Sequence, residues 1–268
     1  MLASCESGRV EGIALSPVPW SAEGELKPDG SDSRTTVDVR ANIEEFLGGT
    51  AGRVADPNSA AASFDYCYNY FQDFKDRRKL EELADGDHVQ QSCLQLGFYL
   101  ASWGMLRAST QLFRRSIHHY VPLIEALPQF DPRVWDVDLE TYSPDVAELL
   151  LTTSSEIRRL LTGNVSDILT TKIMLGVFGN VPAFDTYFSA AFGRWRTVRE
   201  GRRRGGGFSR KSLLSVRDFY EEYSQVLSST RVYTLDFESG EPTSRQYPAA
   251  KLVDMVLFTQ GLRMSIAQ

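Results

Sequence analysis

A chain of 268 residues, 42% hydrophobic and 24% charged, has the composition of a globular protein with a real core, which excludes disorder throughout. Its formal net charge of −6 excludes a surface that attracts nucleic acid everywhere, though not a local basic site. No uninterrupted apolar run reaches the roughly 18 residues that span a bilayer. Cys5, Cys67 and Cys93 form no C-x-x-C pair, and Leu2-Ala3-Ser4-Cys5 lacks the charged and apolar segments a lipoprotein box needs. A cytoplasmic protein without membrane contact is expected.

Residues 1–60 read as an acidic, Gly/Ser/Pro-rich N-terminal extension with one short helix, where Val39, Ile43, Phe46 and Leu47 share a face before Gly48-Gly49. Residues 61–268 read as one helical domain. Ser63 is placed to cap a helix whose Phe64, Cys67, Tyr68, Phe71 and Phe74 recur at helical spacing. A second helix carries Val89, Cys93, Leu96, Leu100 and Trp103, with Gly97 and Gly104 beside that stripe to admit another helix. A third segment, around 111–126, is interrupted or kinked at Pro122. Ser143-Pro144-Asp145 combines cap, first-turn proline and acid, and starts a helix through Leu149, Leu150, Ile157, Leu160 and Leu161 to Gly163. Ser166-Asp167 opens another that ends at Gly179, and Pro182 begins one containing Phe184, Tyr187 and Phe188. The two make a helical hairpin.

Leu213, Val216, Phe219, Tyr220, Tyr223 and Leu227 mark a further helix. Arg231 to Phe237 alternates as a strand does, with Glu238-Ser239-Gly240 turning it. Pro248 starts the last helix, along which lie Leu252, Val253, Met255, Val256 and Leu262. The predicted fold class is all-α: a single multi-helix domain with a helical hairpin and at most a short β element.

Little in the chain supports metal or hydrolase chemistry. His118 and His119 are adjacent, so on a helix they point about 100° apart and do not converge on one ion. There is no G-x-S-x-G elbow, and Gly205-Gly206-Gly207 lacks the Gly-Lys-Ser/Thr ending of a phosphate loop. No metal or cofactor is implied. The clearest charge feature runs from Arg194 to Lys211: Arg194, Arg196, Arg199, Arg202, Arg203, Arg204, Arg210 and Lys211 against the single acid Glu200. Guanidinium groups suit phosphate, and Trp195 and Phe208 offer stacking faces, so DNA or a nucleotide is one expected partner. An acidic protein partner, or a solvated loop, accounts for the same residues.

The other candidate runs from Leu161-Thr162-Gly163-Asn164-Val165-Ser166 through Thr171-Lys172 to Val181-Pro182-Ala183-Phe184-Asp185. Read plainly, it is two packed helices with Lys172 in solvent and Asp185 near a helix start. Ser63-Phe64-Asp65-Tyr66-Cys67, Phe98-Tyr99-Leu100-Ala101-Ser102-Trp103-Gly104, Thr171-Lys172-Ile173 and Lys251-Leu252-Val253-Asp254-Met255 resemble segments of uncharacterised bacterial helical proteins. More remotely, the chain resembles the helix-hairpin-helix DNA glycosylase superfamily over roughly residues 60 to 268. There a glycine-containing hairpin holds DNA phosphates, a lysine in or after it attacks the sugar C1′, and an aspartate follows a proline at the next helix.

The resemblance implies Gly163 and Ser166 as hairpin residues on phosphate, Lys172 as nucleophile and Asp185 as the carboxylate that stabilises charge on the sugar. Phe178, Phe184, Tyr187 and Trp103 are candidates for an aromatic slot around a flipped base. This chain departs from the pattern in keeping one hairpin glycine, Gly163, and in placing Lys172 farther from it and nearer the aspartate. Two functions are therefore expected: a glycosylase-like protein that binds DNA or a modified nucleotide and cleaves an N-glycosidic bond, or a non-catalytic helical interaction protein of a bacterial stress or phage-defence system.

Overall fold

The computed structural model describes residues 37–48, 54–107, 111–201 and 205–267, so most of the extension and Arg202, Arg203 and Arg204 lie outside the described residues. Ten α-helices and one two-stranded sheet occupy them: α1 (Val39–Phe46), α2 (Ala62–Asp76), α3 (Val89–Ser102), α4 (Val121–Ala126), α5 (Pro144–Leu160), α6 (Asp167–Phe178), α7 (Thr186–Glu200), α8 (Arg210–Glu222), α9 (Ser224–Leu227), β1 (Tyr233–Leu235), β2 (Pro242–Gln246) and α10 (Ala249–Ile266). Short 3₁₀ turns fill the connections between α2 and α5. The fold is all-α with a token β element, as its helical periodicity predicts. None of its described helices is long and apolar enough to cross a membrane.

The centre of the domain is α6. Every residue from Leu169 to Phe178 is buried, including Lys172, because α2, α3 and α5 pack around it. A helix enclosed on all sides needs apolar residues on all sides, and Ile173, Met174, Leu175 and Val177 supply them. Its ends are set locally. The Ser166 hydroxyl accepts the Leu169 N–H at 3.2 Å, and Gly179, at φ +71°, takes the left-handed conformation that closes the last turn. Around it α5 is amphipathic, burying Ala147, Leu150 and Ile157 and turning Arg158 and Arg159 outward.

Against α7 lies α10, and the approach is close: a Cβ on Gly261 would stand 2.0 Å from the Tyr187 carbonyl oxygen. Pro248 has no side chain to cap α10. Asp138 does so from a distant 3₁₀ turn, accepting the N–H groups of Ala249 and Ala250 at 2.6 and 2.9 Å. On its other flank α10 holds α1, where buried Asn42 donates to the Val256 carbonyl at 3.2 Å and Glu45 pairs with Arg263. The predicted short helix thus packs on the helical domain.

Four local expectations are corrected. Ser63 does not cap α2; its hydroxyl donates to the Ala60 carbonyl at 2.6 Å and the helix begins at Ala62. Pro122 does not interrupt a helix but sits in the first turn of α4, where its missing N–H costs nothing. Gly97 admits Ile117 and Tyr120 of a 3₁₀ turn, while Gly104 lies beyond the end of α3. Pro182 does not begin α7: residues 181–184 are non-helical, and Asp185 is the cap.

Candidate active site

The non-helical stretch before α7 explains how Lys172 and Asp185 meet. After Gly179 the chain reverses, and its N–H groups are taken up by side chains of the surrounding helices. Ala183 donates to Asp254 Oδ1 at 2.9 Å and Phe184 donates to Thr171 Oγ1 at 3.0 Å. Asp185 then caps α7, its Oδ1 accepting the N–H groups of Tyr187 and Phe188 at 3.1 and 3.0 Å. Its other oxygen is left for Lys172, whose Nζ donates to Oδ2 at 3.1 Å. A carboxylate at a helix N-terminus is favoured by the helix dipole as well as by these donors.

The pair is enclosed, the Lys172 side chain being 5% exposed and that of Asp185 13%. Lys172 is therefore not a solvated residue, as the plain reading of the hairpin has it. Its ammonium also stands 5.3 Å from the centre of the Trp103 ring. Trp103 ends α3 and stacks on Phe46 of α1, ring centres 5.7 Å apart and planes 10° from parallel. Phe258 of α10 meets both rings edge-on, and Tyr187 meets Phe258 in the same way. The indole N–H of Trp103 is buried and has no hydrogen-bond partner among the described residues.

A second Lys–Asp pair, which sequence reasoning did not single out as a site, lies at the same indole. Lys251 Nζ donates to Asp254 Oδ2 at 3.1 Å, with side chains 2% and 8% exposed. Its ammonium stands 4.6 Å from the ring centre of Phe46, 4.9 Å from Phe64 and 5.2 Å from Trp103. Cation–π attraction thus holds a charge that water does not reach. Burial pushes the Asp254 carboxyl up; Lys251 and Lys172 pull it down, and Asp185 pushes it further up. The two pairs feel one another.

The remaining predicted residues are placed as follows. Trp103 and Tyr187 belong to this aromatic cluster. Phe178 and Phe184 do not: Phe178 packs on Phe130 and Trp135, and Phe184 on Phe188, Phe192 and Phe208, so both are core. Gly163, at φ +106°, and Ser166 lie exposed in the turn between α5 and α6. Asp167, which follows them, pairs with Arg158 at 2.5 Å and brings negative charge to that helix start.

The arginines separate. Arg194, Arg196 and Arg199 are on α7 rather than on a loop. Arg194 is exposed, on an open groove of about 620 Å³ formed with Ser189, Gly193, Thr197, Gly205 and Gly206. Arg196 is buried, donating to the Gly205 carbonyl at 2.9 Å, to Ser212 Oγ at 3.1 Å and to Glu200 at 3.4 Å, and is withdrawn from any surface phosphate. Arg199 pairs with Glu222 and lies 5.3 Å from the Trp195 ring centre. Among the described residues no group of His, Cys, Asp or Glu is arranged to hold a metal ion. Compared with protein-family models, curated proteins and solved structures, the chain has no match.

Proposed function

We propose that the protein is glycosylase-like: it binds DNA or a modified nucleotide and cleaves the N-glycosidic bond, with Lys172 as nucleophile and Asp185 as its carboxylate partner. The observation that carries this reading is the 3.1 Å approach of Lys172 Nζ to Asp185 Oδ2 beside the Trp103 ring. A neutral Lys172 amine would attack C1′, forming a C–N bond as the bond to the base breaks. The base leaves with the bonding electrons and takes up a proton. The sugar ring then opens to an imine on Lys172 as the ring oxygen leaves C1′ with its bonding electrons and takes up the amine's second proton. Asp185 would accept the amine's proton and balance positive charge on the sugar. Exposed Arg194, with Arg202, Arg203 and Arg204, would contact phosphates, as would the turn at Gly163 and Ser166.

A second reading is favoured by the closure of the site. Both members of the pair are nearly sealed from water, and Asp167 at the turn before α6 is already paired with Arg158. On that reading the protein is a non-catalytic helical interaction protein, and the arginines engage an acidic partner.

Borohydride trapping separates the two, because it reduces a lysine–sugar imine to a stable protein–DNA adduct. Wild type on DNA with a damaged base or an abasic site should give an adduct, and Lys172→Met should give none. Folded wild type that gives no adduct on such DNA rejects the catalytic reading. DNA binding that persists without the adduct keeps the nucleic-acid partner, and loss of both leaves the interaction protein.

A further inference from the structure

We propose that Lys251 and Asp254 are positioning residues of the same site, a second ion pair that seats Asp185 and governs the charge carried by Lys172. The proposal rests on the glycosylase-like reading for its catalytic meaning, but its physical content is independent of it.

Two observations carry it. The first is mechanical. Asp254 divides its oxygens, Oδ2 to Lys251 at 3.1 Å and Oδ1 to the Ala183 N–H at 2.9 Å. Ala183 lies two residues before Asp185, so a carboxylate on α10 holds the chain that delivers the α7 cap. The second is electrostatic. Lys172 and Lys251 stand 5.3 and 5.2 Å from the centre of the same Trp103 ring, each nearly sealed from solvent. At such burial charges are screened far less than on the surface, and each pair acts on the other.

The other ionisable groups in the surroundings come from several elements. From α3 comes Tyr99, whose hydroxyl burial drives well up and which feels both Asp254 and Asp185. From α2 come Cys67, which acts on Tyr99, and Asp65, which feels Lys251. On the α5 side, α6 meets the Ser154 hydroxyl through Thr170 at 3.0 Å. None of these groups among the described residues is a cation, so Lys251 is the second positive charge at the Trp103 ring beside Lys172.

The sign follows. Asp254→Asn removes a negative charge and leaves Lys251 unpaired, which disfavours the Lys172 ammonium and frees the amine at lower pH. Lys251→Met removes the positive charge and leaves Asp254, which favours the ammonium and delays the free amine to higher pH. Asparagine retains an acceptor for the Ala183 N–H, so the first variant keeps the mechanical link.

The test is the titration of Lys172 followed by NMR of chains carrying ¹³C at lysine Cε, with its signal identified from Lys172→Met. The expected midpoint moves down in Asp254→Asn and up in Lys251→Met, each by about one pH unit, tenfold in the fraction of free amine at a given pH. Borohydride trapping rates against pH should move in the same two directions. Midpoints that stay within a few tenths of a unit, or move in one common direction, overturn the proposal. Should a single variant fail to fold, the wild-type chain carries the test. Coupled lysines titrate in steps shared by both signals, whereas two independent single-step curves overturn the coupling. Opposite NMR shifts without any adduct would reject the glycosylase-like reading and leave the coupled pairs standing.

Discussion

Deleting either half of the Lys172–Asp185 pair should have unequal consequences, and the inequality follows from who else holds each residue. In Asp185→Ala, Lys172 loses its carboxylate while remaining 5% exposed, and α7 loses a cap that accepts two N–H groups at 3.1 and 3.0 Å. Losing a cap costs about 1 kcal/mol, and stranding one member of a buried pair costs about 3–5 kcal/mol. The expected total is therefore at least about 4 kcal/mol. In Lys172→Met an unbranched chain of similar length fills the site, and Asp185 keeps both N–H donors at a helix start. That loss should be about 1 kcal/mol. Urea melts followed by circular dichroism resolve a gap of about 3 kcal/mol as a clear difference in midpoint at constant slope. Equal losses, or a greater loss for Lys172→Met, would refute the assignment of Asp185 as both cap and counter-ion. The same numbers make Lys172→Ala a poor probe of catalysis, since the side chain is enclosed and its removal opens a cavity.

Three further outcomes follow. Gly261→Ala gains about 1 kcal/mol of helix propensity. It also sets a Cβ 2.0 Å from the Tyr187 carbonyl oxygen and 2.6 Å from its carbon, backbone atoms that cannot swing aside. A net loss of about 1–2 kcal/mol in thermal melts is expected, and a stabilised variant would contradict the close α7–α10 approach. Asp65 is held at about 7, above the ordinary 3.8, chiefly by burial, while Tyr247, Leu235 and Lys251 pull it down. Between these values the folded chain keeps a proton the unfolded chain has lost. Stability from this group is therefore complete below about pH 4 and lost as pH rises through about 7. Relative to wild type, Asp65→Asn should flatten the fall of urea-melt stability across that window by up to about 4 kcal/mol, and identical pH profiles would argue against it. Arg194→Ala should change stability by under about 0.5 kcal/mol yet weaken DNA binding and its salt dependence. Arg196→Met should cost about 2 kcal/mol in urea melts, since it removes a buried guanidinium's hydrogen bonds to the Gly205 carbonyl and the Ser212 hydroxyl; the reverse pattern would exchange their roles.

The legible parts of the fold were those with local punctuation. Ser143-Pro144-Asp145 and Ser166-Asp167 are caps in the structure because a hydroxyl followed by proline or acid satisfies a helix start without outside help. Pro182 misled for a related reason: proline favours a first turn, but here the N–H groups of Ala183 and Phe184 go to Asp254 and Thr171, partners no local pattern displays. The Arg194–Lys211 stretch read as loop because its charges hid the stop at Gly201, at φ +64°, and with it the helical period that turns Arg196 inward. Lys172 and Asp185 were legible as residue types in order. Lys251 and Asp254 stand i and i+3 in the sequence, a spacing that by itself says nothing of burial. Their burial is decided by Phe46, Phe64 and Trp103, which arrive from α1, α2 and the end of α3.

Stability alone does not explain why two such pairs sit at one indole. The cost of taking charges out of water offsets most of their attraction, and well-packed apolar replacements of similar volume are commonly as stable or more so. An all-apolar α6 and α10 would bury the same surface without two lysines among aromatic rings. What apolar side chains could not supply is a carboxylate held at a fixed place by the N-terminus of α7 and two ammonium groups beside one indole. On the glycosylase-like reading proposed above, those properties would serve proton transfer and nucleophilic attack. The double replacement Lys172→Met with Asp185→Asn should therefore fold at least as stably as wild type in urea melts while abolishing any adduct. A large loss of stability in that chain would return the pair to a structural role.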